Sequence, residues 1–131
     1  MNVDAVEHLL RTNGCSLTPQ RRAILRFLDG NLDHPSAQQI FDAVTADFPI
    51  TSRATVYNTL TLLEQLGAVR TLPGATGETR YDPNVTPHHH LLCDRCGRLE
   101  DVASGDVSVL LRGALAQAQV RFNGRCTACD G

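Results

Sequence analysis

Thr51-Ser-Arg-Ala-Thr-Val-Tyr-Asn-Thr-Leu-Thr-Leu-Leu-Glu-Gln-Leu-Gly67, with Ala68–Asp82 behind it, is the stretch that decides the fold. Thr51-Ser52 offers a hydroxyl cap and Gly67 a stop, so the spacing predicts a helix running to Leu66. Val56, Leu60, Leu63 and Leu66 recur close to the 3.6-residue period and form its core stripe. The opposite face, Ala54, Tyr57, Asn58 and Thr61, is small, polar and aromatic, with no acid on it. Two strand-like runs follow, Ala68–Leu72 and Glu78–Asp82, joined by the turn formers Pro73-Gly-Ala-Thr-Gly77.

Upstream, helical patterns cover residues 3–12, Thr18-Pro19 to about Asp29-Gly30, and a third segment opened by the capping box Ser36-Ala-Gln-Gln39. Several helices followed by a hairpin is the layout of a winged helix-turn-helix, in which the last helix before the wing enters the major groove of DNA. Ser52, Arg53, Thr55, Tyr57 and Asn58 are the candidate DNA contacts. Tyr57 can pack on thymine methyls, and Asn58 can pair with adenine or phosphate. A solvated helix face carrying an incidental tyrosine is the alternative that pattern alone leaves open.

The composition changes after Asp82-Pro83, which places a domain boundary there: residues 1–82 and 83–131. In the second part, residues 88–93 and 98–103 read as strands. A helix with Val107, Leu110, Leu111 and Leu115 on one side is expected from Ser104 or Asp106 to about Ala118, then a short strand over 120–122. The core of this half is thin, so a structural metal and a partner subunit are both expected. The fold class is therefore α+β: an N-terminal winged helix-turn-helix domain and a small C-terminal α/β dimerisation domain.

Cys93-Asp-Arg-Cys96 and Cys126-Thr-Ala-Cys129 are two Cys-x-x-Cys knuckles, together the four thiolates of a closed tetrahedral zinc site. Two disulfides or a redox dithiol are the competing readings, and neither suits a cytosolic chain without a βαβ context. The fifth cysteine, Cys15, reads as an ordinary small buried residue. His88 and His90 alternate along a strand and share a face, with His89 turned away. Asp101, on the neighbouring strand, can reach that face. Imidazole with carboxylate suits Fe(II) or Mn(II), or zinc in an open site. A metal held by His34, Asp82, His88, His90 and Asp101 would join the two halves and link metal occupancy to the spacing of two reading heads in a dimer. Spacing alone favours a ligand role for His88 and His90, but for His34 only that of a residue flanking a helix.

The net charge of −2 argues weakly against nucleic-acid binding, yet all 12 basic residues are arginine, the side chain suited to bidentate phosphate and base contacts. Asp82, Glu100 and Asp101 account for part of the negative count, where a divalent cation would offset it. No apolar run reaches membrane-spanning length and the first residues do not form a leader, so a cytoplasmic protein without membrane contact is expected.

The chain resembles the ferric uptake regulator superfamily of bacterial metal-dependent repressors. The resemblance rests on Leu17-Thr-Pro-Gln-Arg-Arg-Ala-Ile-Leu25, His34-Pro35, Ala54-Thr-Val-Tyr-Asn-Thr-Leu60, Arg80-Tyr-Asp82, His88-His-His-Leu-Leu-Cys-Asp-Arg-Cys-Gly97 and Cys126-Thr-Ala-Cys129. It implies a homodimer of winged helices, a structural zinc in the C-terminal domain, and binding of double-stranded operator DNA when a regulatory metal is loaded. The Thr-Pro-Gln-Arg run, Asn58, and aspartate at 82 and 101 look like the peroxide-responsive branch of the family. There, Fe(II) or Mn(II) sits on five ligands matching His34, Asp82, His88, His90 and Asp101. Hydrogen peroxide reacts at the ferrous ion, and His34 and His88 match the histidines that are oxidised. The stretch between Cys96 and Cys126 is shorter than in the family and lacks the histidine-bearing strand that precedes the last knuckle in many members.

The expected protein is thus a repressor and not an enzyme, with no small-molecule substrate beyond the metal ion and peroxide. A manganese- or iron-uptake repressor on the same scaffold is the near alternative. A small metallohydrolase with metal-activated water is the remote one.

Overall fold

A computed structural model of the chain describes residues 1–107 and 119–130. They divide into two compact units. The first takes Met1–Pro73 with Glu78–Val85; the second takes Gly74–Gly77 with the described part of Thr86–Gly131.

The first unit contains α1 (Val3–Thr12), α2 (Pro19–Leu28), α3 (Ala37–Asp47), α4 (Arg53–Gln65) and a hairpin of β1 (Arg70–Pro73) and β2 (Thr79–Asp82). Every helix begins where a polar side chain satisfies an otherwise unpaired amide. Asn2, Thr18, Ser36 and Ser52 accept from the N–H groups of Ala5, Arg21, Gln39 and Thr55. Each such cap stabilises its helix by about 1 kcal/mol. At Ser36 the box is complete, because Gln39 Oε1 accepts from the Ser36 N–H at 2.9 Å. The α4 stripe behaves as its period requires. Val56, Leu60 and Leu63 are fully buried against Ile24, Leu25, Leu28, Ile40 and Val44, with Val6 and Leu10 of α1 and Tyr81 of β2 closing the core.

The first wing strand starts at Arg70, two residues later than the pattern predicts. Helix α4 ends with Gly67 at φ +73°, the Gly67 N–H bonded to the Glu64 carbonyl at 3.0 Å, and the Ala68 N–H to that of Leu63 at 2.9 Å. That is a Schellman closure. It draws Ala68 and Val69 into the core, where both are buried, before strand pairing can begin. The hairpin then pairs Arg70 with Asp82 through to Pro73 with Thr79. The loop ahead of α3 lies along the same strand: Tyr81 N–H donates to the Pro35 carbonyl at 2.9 Å, and Ser36 bridges to Arg80.

The second unit is a three-stranded sheet of β3 (His88–Cys93), β4 (Leu99–Ala103) and β5 (Arg121–Gly124), in the order β4-β3-β5, followed by a short α5 (Thr127–Asp130). β3 and β4 are antiparallel, with the first knuckle as their turn; β3 and β5 are parallel. The strand expected at 120–122 lies at 121–124, and α5 had no pattern to announce it. Residues 104–106 form a single 3₁₀ turn and Val107, expected within the helix, is extended; residues 108–118 of the helix expected up to Ala118 lie outside the described residues. Parallel pairing has a direct consequence. Cys93 ends β3 opposite Gly124, and Cys126 follows β5, so both knuckles arrive at the same end of the sheet. At about 3.3 Å per residue, His90 lies roughly 10 Å back along β3. No described helix is long and apolar enough to cross a membrane.

Candidate functional site: two metal centres and a reading helix

At the knuckle end of the sheet, the ligand atoms of Cys93, Cys96, Cys126 and Cys129 all lie within 4.8 Å of one another. The thiols are free, and Cys96 and Cys126 Sγ are 3.7 Å apart. Four sulfurs about 2.3 Å from a tetrahedral zinc would be separated by about 3.8 Å. Local backbone builds this cage. Gly97, at φ +74°, turns the first knuckle back so that its N–H meets the Cys93 carbonyl at 3.0 Å. The Cys126 carbonyl accepts from the Cys129 and Asp130 amides as α5 starts. The backbone N–H groups of Cys126 and Cys96 pull the Cys93 thiol down to about 6, while bonds from Cys126 and Cys96 push Cys129 up to about 12. Cys93 is thus the thiol most inclined to be a thiolate, and Cys96 and Cys129, both shifted up, are the ones a bound cation would have to deprotonate. Thr127 donates its N–H (3.4 Å) and Oγ1 (3.0 Å) to Glu100 Oε1, fastening the second knuckle to β4.

The other end of β3 holds the histidines. His90 pairs directly with Asp101 across the antiparallel ladder, and His88 is two residues back on the same face. His88 Nε2 and His90 Nε2 are 3.1 Å apart; Asp101 Oδ1 is 3.1 Å from the first and 3.4 Å from the second. His88 Nδ1 lies 2.6 Å from the Thr86 carbonyl oxygen. A carbonyl only accepts, so Nδ1 carries a proton, and in the neutral tautomer this leaves the lone pair at Nε2 for a metal. Two imidazole nitrogens and a carboxylate oxygen therefore converge at separations close to the ~3.0 Å expected of neighbouring ligands around an octahedral ion with bonds of ~2.1 Å. His89 points to the opposite face and is spent on structure: its Nδ1 accepts from the Val120 N–H at 2.8 Å.

In the first unit, His34 and Asp82 are 0% and 2% exposed at their side chains, with His34 Nε2 3.5 Å from Asp82 Oδ2. The spacing-based expectation gave His34 only a flanking position. Its complete burial opposite a carboxylate is what the sequence did not reveal.

On α4, Tyr57 and Asn58 are exposed, as are Ser52, Arg53, Ala54 and Thr61. Ser52 and Thr55 are bonded to each other at the helix start, with 2.9 Å between the hydroxyls. Arg53 is turned onto α3: its guanidinium stacks 4.4 Å from the Phe41 ring centroid and donates to Gln38 Oε1. Of the candidate contacts, Tyr57 and Asn58 are the outward-facing pair with no such tether described.

A winged-helix unit, joined to a small sheet unit with a four-thiolate cage and a histidine–carboxylate cluster, defines a two-unit metal-site protein of α+β class. The sequence pattern of the Ferric uptake regulator family matches residues 12–124, and the chain belongs to that family. It is 42% identical over 92 residues to the peroxide-responsive repressor PerR of Staphylococcus saprophyticus, a match spanning 70% of this chain and 62% of that protein. With PerR of Staphylococcus aureus the identity is 35% over 130 residues, covering 94% of this chain and 86% of the relative. Among solved structures, the Helicobacter pylori ferric uptake regulator Fur, described as having three functional metal-binding sites, superposes with a TM-score of 0.79 at 20% identity, over 98% of this chain and 91% of that one. That last likeness is one of fold.

Proposed function

We propose that this protein is a cytoplasmic homodimeric repressor that binds operator DNA when loaded with Fe(II) or Mn(II), and that senses peroxide through the ferrous form. The observation that carries the reading is the convergence of His88 Nε2, His90 Nε2 and Asp101 Oδ1 at 3.1–3.4 Å. Two histidines and one carboxylate on one side of an ion is the donor set of non-haem Fe(II), with coordination positions left over. His34 and Asp82 are proposed to complete the set from the first unit. Zinc in the thiolate cage is proposed as structural, because four sulfur ligands leave it no open position.

The chain's own part is to bind and to couple. Ligands drawn from both units make ion occupancy favour one arrangement of the two reading helices, and the ion stabilises that arrangement by about RT ln(1 + [ion]/Kd). Ser52, Arg53, Thr55, Tyr57 and Asn58 are proposed at the DNA interface, with Tyr57 and Asn58 reading bases and Arg53 reaching the duplex only after leaving Phe41. Fe(II) held there would supply the redox chemistry that activates hydrogen peroxide. His34 and His88, as proposed ligands, would be the imidazoles within reach, each oxidised by two electrons as it takes one oxygen atom from one peroxide, whose other oxygen leaves as water. Losing a neutral imidazole donor weakens the site, and DNA is released with the ion. Relatives in the peroxide-responsive group support this choice, at 35–42% identity.

The test is mass spectrometry of iron-loaded protein after brief exposure to peroxide, alongside gel retardation on duplex selected from random sequence with Mn(II). Added oxygen on the His34 and His88 peptides, with loss of retardation, is expected. Metal-dependent retardation with both peptides unmodified would leave a manganese- or iron-uptake repressor in its place. Hydrolytic turnover without retardation would point to the metallohydrolase.

A further inference from the structure

Among the described residues, His34 is alone in having a positive φ without being glycine, at +51°. Histidine enters the left-handed region more readily than most residues, but it stays there only when its surroundings hold it. Here the hold is visible. The guanidinium of Arg80, on β2, donates from Nε to the His34 carbonyl and from Nη2 to the Asp33 carbonyl at 3.2 Å; Nη1 pairs with Glu78 Oε1 at 3.1 Å. The backbone of the same strand takes the next residues, with Tyr81 N–H on the Pro35 carbonyl and Ser36 bridged to Arg80. Arg80 and Asp82 alternate onto one face of β2, and Asp82 Oδ2 lies 3.5 Å from His34 Nε2. One strand therefore delivers both a carboxylate and the grip on the turn that carries the imidazole opposite it.

We infer that Arg80 is a positioning residue for the regulatory metal. It holds the His34 turn in its left-handed conformation, so that the imidazole and the Asp82 carboxylate are presented as a preset pair. Only a planar fork can take adjacent carbonyls and a carboxylate at once, so lysine at this position keeps the charge and loses the grip. Without it, His34 relaxes toward negative φ, its ring turns from Asp82, and the ion must restore the arrangement itself. The inference rests on the proposed regulatory site.

Calorimetric titration of Mn(II) into zinc-loaded protein tests it, with melting of the metal-free form recorded beside each variant. Support for a preset ligand of this kind is typically worth 10–100-fold in metal affinity. Arg80→Met is expected to weaken Mn(II) binding by about 10–100-fold, and Arg80→Lys to fall between it and the parent protein. His34→Gly removes the ring without penalising the positive φ, and Arg80→Met added to it is expected to cause no further loss. An equal loss in the His34→Gly background overturns the inference, because Arg80 would then act through charge or general stability. Unchanged affinity in Arg80→Met, beside a weakened His34→Gly, overturns it while leaving the five-ligand site intact. Unchanged affinity in His34→Gly overturns both. Should Arg80→Met fail to fold, Arg80→Lys alone and combined with His34→Gly gives the same comparison.

Discussion

At the scale of single residues, the run His88-His89-His90 separates two kinds of histidine by strand parity alone. His88 and His90 face Asp101, whereas His89 points to the other face of the sheet and accepts from the Val120 amide just ahead of β5. His89→Ala leaves that amide without its partner and is expected to destabilise the fold by about 1–3 kcal/mol while leaving Mn(II) affinity as it was; denaturant unfolding and metal titration on the same variant check both halves. Parity was legible in the sequence because alternation needs only the presence of a strand. The burial of His34 was not, because it depends on Arg80 and Tyr81, more than forty positions away, laying the loop along β2. Arg53 shows the same limit: nothing local says that it stacks on Phe41. Tyr57 stands clear on the outward face of α4, 43% exposed. Tyr57→Ala should weaken specific DNA binding by ~1–3 kcal/mol with the fold unaltered, measured by retardation and by melting; unchanged DNA affinity would remove α4 as the reading element.

The elements of the first unit follow their local signals closely. Caps at Asn2, Thr18, Ser36 and Ser52 start the helices, and the 3.6-residue stripe of α4 faces the core. The wing begins late because the Schellman closure at Gly67 takes Ala68 and Val69 into the core, and a β-propensity pattern does not register a helix's C-terminal hydrogen bonds. In the second unit, strands on either side of the first knuckle were readable from the sequence. The parallel pairing of β3 with β5 was not, since it links residues far apart in the chain. That pairing assembles the thiolate cage. Cys96→Ser is expected to abolish tight zinc binding and, with it, the ordered second unit and the dimer. Zinc stoichiometry and sedimentation report on it, and a stable zinc-free dimer would contradict the structural role.

For the molecule as a whole, the paired-knuckle sequence and the resemblance of its ordered motifs announced the family, and residues 12–124 match it. The sequence could name candidate ligands but could not supply their distances: the 3.1–3.4 Å convergence on the sheet of the second unit, and the 3.5 Å His34–Asp82 pair in the first. The central claim is that one exchangeable ion takes ligands from both units at once. It is tested most directly by calorimetric titration of Mn(II) into the zinc-loaded protein and into Asp82→Ala, Asp101→Ala and the double variant. The account predicts one site per chain, weakened by at least about tenfold by either substitution alone. Parent-like affinity in Asp82→Ala, with the whole loss confined to Asp101→Ala, would contradict it.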